Sequence, residues 1–303
     1  MIDRTAIGGA QTEAARPRVA TPAHARTRGL DLSRLAVPLR YAVLFLVAII
    51  AAFPFYWMLV GSFSPLADLF SVPPPIVPVH PTANNYAELF QRIPFARNAL
   101  NSFIISLLAG AIGVLLATMA GFAFAKYKFP GREILFYGMI ATMVLPEEAL
   151  VVPLFVLMSQ IGWVDTYQGA VIPSLASAFG IFWMRQYMAG IPDEMLEAAR
   201  IDGASDFQIY YLIVLPVLGP GLAALAMILF MRAWNMFLWP LIVLRTEDMY
   251  TIPLSLARLI GLTEQPYHLV LAGSVLATLP LVIVFVLLQR QFIAGVMAGS
   301  VKS

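Results

Sequence analysis

The sequence predicts an all-α fold, a polytopic transmembrane helical bundle with six spans, and three observations support it. Of 303 residues, 60% are hydrophobic and only 12% charged, with a mean hydropathy of +0.81; soluble domains carry about 25% charged residues. Six apolar segments are long enough to cross a bilayer as helices, which takes about 20 residues. The basic residues also divide unevenly between the two sides that those segments define. There is no cysteine, which excludes disulfides, thiol catalysis and cysteine-based metal sites.

Residues 1–36 are rich in Ala, Arg and Thr and lack an apolar core, so they do not read as a cleaved signal peptide. Asp3, Glu13 and Asp31 argue against a mitochondrial presequence. A flexible tail is the expectation, followed by a transmembrane domain over 37–303. The first span, 41–61, has no charge. The loop from 62 to 97 holds Pro73, Pro74, Pro75, Pro78 and Pro81, so it is expected to be extended, then helical near 85–91, and to offer a docking surface to an external partner. In the second span, 99–125, Gly113, Ala117 and Gly121 recur every four residues, the interval at which small side chains let helices approach closely in lipid. The third, 134–156, is interrupted by Pro146, Glu147 and Glu148. These carboxylates belong near an interface or in a wet cavity, and 149–163 reads as an interfacial or re-entrant helix. The remaining spans are 168–184, 218–244 and 269–288.

With the amino terminus in the cytoplasm, fourteen Lys and Arg lie on the inner side, seven of them before the first span, and four on the outer. Arg232 alone sits within a span. This orientation also puts the segment around 190–216 inside.

That segment reads as helix, bend, short helix. Asp193 and Glu194 follow Pro192, where the positive end of a helix favours carboxylates. Gly203 suits the left-handed residue that closes a helix, and Ser205 with Gln208 has the spacing of a capping box. Pro216 is expected to mark the start of the next apolar run. Ala198, Ala199 and Ala204 are small enough for another protein to come close.

From Glu197 the residues run Glu-Ala-Ala, three positions, Gly203, nine positions, Ile213, one position, Leu215-Pro216. All seven fixed positions resemble the cytoplasmic signature of the permease subunit of binding-protein-dependent ABC importers. Further stretches resemble the maltose-type permeases of the carbohydrate-uptake branch: Asn101-Ser102, Phe129-Pro130-Gly131-Arg132, Asp165-Thr166-Tyr167 with Gly169 and Pro173, Arg185-Gln186, Trp234-Asn235 with Phe237-Leu238-Trp239, and the tail from Gly295 through Lys302. The resemblance covers about residue 38 to the end.

It implies a type I permease forming half of the translocation path of an importer for an oligosaccharide, disaccharide or polyol, in a bacterial or archaeal inner membrane with both termini cytoplasmic. A companion permease, two ATPase subunits and an external solute-binding protein would complete the assembly. Glu197, Ala198, Ala199, Asp202, Gly203, Ala204 and Phe207 would be the coupling residues facing the ATPase; for Phe207, burial in the membrane surface is the competing reading. The chain has no phosphate-binding loop, so no catalytic site is expected, and ATP and magnesium would be bound by the partner ATPase subunits.

Arg232, Trp234 and Asn235 are the candidates for the substrate path. A charge in mid-span costs about 2.5–3.5 kcal/mol, so Arg232 should face a cavity or a partner. The branch usually has a small or apolar residue at that place, and often an acidic one where Met236 stands. Two readings stand: Arg232 contacts a polar or anionic solute or the companion subunit, or it forms a structural ion pair with Glu147 or Glu148. Trp57, Trp163 and Trp239 read as interfacial anchors. His24, His80 and His268 are too scattered for a metal site. A sugar-phosphate or glycerophosphodiester importer is the alternative within the class. An ion-coupled secondary transporter and a membrane-embedded enzyme are rivals from other classes.

Overall fold

The computed structural model describes residues 32–261 and 265–298. His24 and most of the amino-terminal tail lie outside the described residues, as do 299–303 at the other end. Among the described residues every regular element is a helix and there is no strand. The chain divides into two compact units, 1–52 and 53–303. The described part of the first is the start of helix α1 (Leu32–Ser62), in which residues 37–52 are exposed.

In the second unit, α2 (Leu66–Leu69) and α3 (Asn84–Arg92) interrupt the proline-rich loop. The 32-residue α4 (Phe95–Lys126) is about 48 Å long at 1.5 Å per residue. It packs chiefly against α8 (Ala178–Ala189) and α12 (Gly219–Trp234), and α12 packs in turn on α15 (Tyr267–Ala298). The small-residue stripe makes the α4–α8 approach possible. A Cβ on Gly121 would lie 2.7 Å from the Met184 Cβ and 3.0 Å from the Arg185 amide. Ala117, 1% exposed, faces Gly180. In lipid such packing, rather than expulsion of water, holds helices together.

Among the described residues three helices are long and apolar enough to cross a membrane: Val37–Ser62, Phe95–Lys126 and Tyr267–Gly295. Two bent pairs would raise the number to five. In one, α5 (Arg132–Ala141) and a 3₁₀ turn to Val144 meet α6 (Glu147–Gln160) at 101°. In the other, the run Asp206–Val217 meets α12 at 83°.

Six unbroken spans are therefore not what the described residues contain. The expected fourth span is divided into α7 (Tyr167–Val171), a 3₁₀ turn Ile172–Ser174 and α8. Pro173 removes a backbone donor, and Ser177 starts a new helix by accepting from the Gly180 amide at 3.1 Å. The expected fifth ends at Trp234 instead of near 244; α12 stops at Asn235, and the chain restarts as α13 (Leu238–Val243). A last short helix, α14 (Ile252–Leu259), precedes α15.

Candidate functional site

The segment from Ile191 to Pro216 begins where Lys126, the last residue of α4, holds it. Its ammonium donates to the Ile191 carbonyl at 2.5 Å and to Asp193 Oδ1 at 2.6 Å. That second bond, and the charge behind it, keep the Asp193 carboxyl below its usual range. α9 (Asp193–Ile201) follows, with Pro192 just before it and Glu194 in its first turn.

α9 closes as a Schellman motif: the Ala204 amide donates to the Ala199 carbonyl and the Gly203 amide to the Arg200 carbonyl, both at 3.0 Å. Gly203 has φ +86°, where a side chain is penalised. Ser205 then caps α10 (Asp206–Gln208). Its Oγ accepts from the Gln208 amide at 3.3 Å, and the Gln208 side chain accepts from the Ser205 amide at 2.8 Å. Arg200 bridges the bend to Asp206 at 3.2 Å and lies 5.9 Å over the Tyr127 ring. Around Gly203 and Ser205 the bend's backbone bonds close within five residues. Beyond it, Ile209–Val214 is a π-helical turn. Pro216 lies in the first turn of α11 (Leu215–Val217), so the chain turns only after Val217, two residues later than Pro216 suggests.

The bend has two faces. Leu196, Ala199, Ile209, Tyr210 and Val214 pack inward against Met184 and Met188 of α8, and the Tyr210 hydroxyl is 2.7 Å from Thr118 Oγ1 of α4. Glu197, Ala198, Asp202, Gly203 and Phe207 are exposed on the other face. Ala199, at 7% exposure, lies in the chain's own core, and Ala204 is half-buried. Ile201, not singled out in the sequence, is 86% exposed, and Phe207 is 68% exposed. An isoleucine beside a helix-closing glycine in a polar loop was the available signal. Exposed apolar residues rimmed by charge mark an interaction surface.

The three candidates in the fifth span separate. Arg232 forms an ion pair with Glu147, at the start of α6, and both side chains are open, at 51% and 74% exposure. Trp234 is buried, stacked on Phe230 at 5.7 Å, and its indole N–H donates to the Ala277 carbonyl at 3.2 Å; its ring is committed to packing against α15. Asn235 is exposed and folds back on the Met231 carbonyl at 2.8 Å. Trp239, read as an interfacial anchor, is buried and donates to the Gly169 carbonyl at 2.9 Å.

The opposite end of α4 is held by side chains that reach across the sequence. Asn101, fully buried, donates to the carbonyls of Asp248 at 2.7 Å and Tyr250 at 3.0 Å, while the Tyr167 hydroxyl donates to its Oδ1 at 2.6 Å. Ser102 Oγ accepts from the Ile252 amide at 2.8 Å. Asp165, at φ +60°, accepts from the amides of Arg245 and Thr246 and from the Thr246 hydroxyl, at 2.8, 3.1 and 2.8 Å. Burial pushes its carboxyl up, but those three bonds outweigh it and hold the group below its usual range.

Residues 112–297 match the family described as "binding-protein-dependent transport system inner membrane component". The chain belongs to that family. It is 38% identical over 259 residues to the arabinooligosaccharides transport system permease protein AraQ of Halalkalibacterium halodurans, covering 84% of this chain and 93% of that one. It is 36% identical to the lactose transport system permease protein LacG of Rhizobium radiobacter, covering 89% and 97%. Against the sn-glycerol-3-phosphate transport system permease protein UgpE of Agrobacterium fabrum the identity is 35%, covering 86% and 96%. The fold is that of a chain in a bacterial ABC transporter that imports the acidic polysaccharide alginate, with a TM-score of 0.77 at 23% identity over 86% of this chain and 98% of that one. A related structure of the alginate transporter, in complex with its pentasaccharide-bound periplasmic protein, aligns with a TM-score of 0.57.

Proposed function

We propose that this chain is the membrane subunit of an ATP-driven importer of a carbohydrate, an oligosaccharide, disaccharide or polyol, forming half of the translocation path beside a companion permease. It has no catalytic site of its own in this reading; ATP and magnesium are bound by two separate ATPase subunits, and an external binding protein delivers the solute. Six membrane crossings are counted by taking each bent pair as one and adding α7 with α8. Both termini then lie in the cytoplasm, as the distribution of Lys and Arg favours.

The observation that carries this reading is the outer face of the 190–216 bend. Glu197, Ala198, Asp202 and Gly203 are presented beside the apolar Ile201 and Phe207, on a body whose backbone is already satisfied. Such a knob fits a cleft in another protein, with Phe207 and Ile201 as anchors and Glu197 as a polar contact. Motion of that protein would pass through Leu196, Tyr210 and Val214 into α8, and through Tyr210 into α4. The arabinooligosaccharide and lactose relatives support a neutral carbohydrate. The glycerol-3-phosphate relatives and the guanidinium of Arg232 support the second reading, a phosphate-ester solute.

The test is reconstitution in liposomes. Solute-stimulated ATP hydrolysis and uptake are expected only when companion permease, ATPase and loaded binding protein are all present. Uptake by this chain alone down an ion gradient would overturn the reading in favour of a secondary transporter.

A further inference from the structure

The Arg232–Glu147 pair lies where two helix breaks meet. Arg232 is in the last turn of α12, one turn before the chain leaves helical geometry at Asn235; Glu147 is the first residue of α6, just after the 101° bend. Each charge complements the helix end that carries it, cation at the carboxyl end and anion at the amino end. Residues 141–150 are all exposed in the chain taken alone, as is Asn235.

Arg232 lies within the apolar run 218–244 and Glu147 within 134–156; at membrane depth, lipid against either charge would cost about 2.5–3.5 kcal/mol, and broken backbone there is tolerated only where protein buries it or where it lines a water-filled cavity. Arg232 and Glu147 spend only part of their hydrogen-bonding capacity on each other: a guanidinium has five N–H donors and a carboxylate about four lone-pair sites. The remainder, with the Asn235 amide, suits water and the hydroxyls of a sugar. The local charge is one guanidinium against two carboxylates, because Glu148 follows directly and is exposed.

We propose that Arg232, Glu147 and Glu148 line a water-filled passage and give it a net negative charge that admits neutral polyhydroxylated solutes and disfavours anionic ones. The solute part rests on the importer reading above and decides between its two forms: with Glu147 engaging it, Arg232 is not a free anion receptor. A carboxylate accepts from neighbouring sugar hydroxyls, the guanidinium donates to sugar oxygens, and both do so without needing charge on the solute.

The absence of cysteine from the chain makes this directly measurable. Asn235→Cys and, as a second reporter on the other break, Leu145→Cys are each placed in the full complex in vesicles. The probes are two water-soluble methanethiosulfonates, one cationic and one anionic, with the cysteine-free chain giving the background and a small free thiol giving the intrinsic rates. Both reporters are expected to react, with the anionic reagent slowed relative to the free thiol. Adding Glu147→Gln and Glu148→Gln is expected to raise the anionic-to-cationic rate ratio by about tenfold, as removal of two charges within several ångströms would. No reaction at either reporter, with or without nucleotide, would put this face against the companion subunit and overturn the proposal. Reaction with a ratio indifferent to the two carboxylates would overturn the charge selection. Neither result depends on ATP-driven uptake, so failure of the importer reading is scored separately.

Discussion

The two ends of α4 are secured by opposite means. At the Lys126 end, the turn from Arg200 to Gln208 is closed by bonds between residues at most six apart, through the Schellman closure at Gly203 and the capping box at Ser205. It keeps Ile201 and Phe207 outside. At the Asn98–Asn101 end, the fixing bonds reach 66 to 157 residues along the chain, to Tyr167, Asp248, Tyr250, Ile252 and Ser255, and Asn98, Asn101, Ser102 and Ser255 are buried. One end closes locally and, in the function proposed above, meets another protein; the other is a clamp that joins the bundle's own distant segments. Changes at the first should cost function and spare stability, and changes at the second the reverse.

The largest expected effect is on the knob. Gly203→Val finds open space around it but must hold φ near +86°, which a β-branched residue resists by about 1–2 kcal/mol. The bend should relax and swing Phe207 away, with uptake reduced more than tenfold while the yield of membrane-inserted chain is unchanged. Wild-type uptake with the ATPase still bound would show that the bend's shape is not what the partner reads.

Next comes the clamp. Asn101→Ala removes the side-chain partner of the buried Tyr250 carbonyl and of the Tyr167 hydroxyl and leaves the exposed Asp248 carbonyl to Arg97 Nε at 3.4 Å, a loss on the order of 2 kcal/mol. The melting temperature of the purified complex should fall, while ATP hydrolysis per assembled complex stays near normal below that temperature. A variant with unchanged melting and impaired hydrolysis would reverse the comparison.

The smallest effect is one of pH at Asp165. Its carboxyl is held below the usual range, so its stabilising share is present above the unfolded value of about 3.9 and lost as pH falls through the lower folded value. Melting measured from pH 7 down to 3 should drop below about pH 4, and Asp165→Asn should shallow that acid limb. An identical limb in the variant would assign the acid sensitivity to other groups.

Local chemistry is legible in the amino-acid sequence alone. Gly203, Ser205 with Gln208, and the acidic first turn of α9 declare their conformations because each interaction closes within a few residues, where spacing and geometry are equivalent. The apolar helices are legible too, since about 20 uncharged residues in a row have few alternatives. Where α7 ends and α8 begins is not, although Pro173 and Ser177 stand at the break: apolar composition continues across it, and hydropathy does not distinguish a bent segment from a straight one.

What the tertiary structure alone decided is which faces meet. Ala198 and Ala199 are identical neighbours in the sequence, yet one is open and the other lies in the core, because about 100° of helical rotation separates them and only the position of α8 says which side is inside. Trp234 and Trp239 have the composition of interfacial anchors, but each N–H finds a carbonyl in a distant segment. Asp165 and Asn101 stood in the sequence as resemblance to a family without a stated role; their partners are 80 and about 150 residues away. Arg232 posed a question that its own surroundings could not answer, a cation in a span with two carboxylates 84 and 85 positions earlier. Tertiary structure supplied its partner: the bend before Glu147 and the end of α12 just after Arg232 bring opposite helix ends, and opposite charges, to one place.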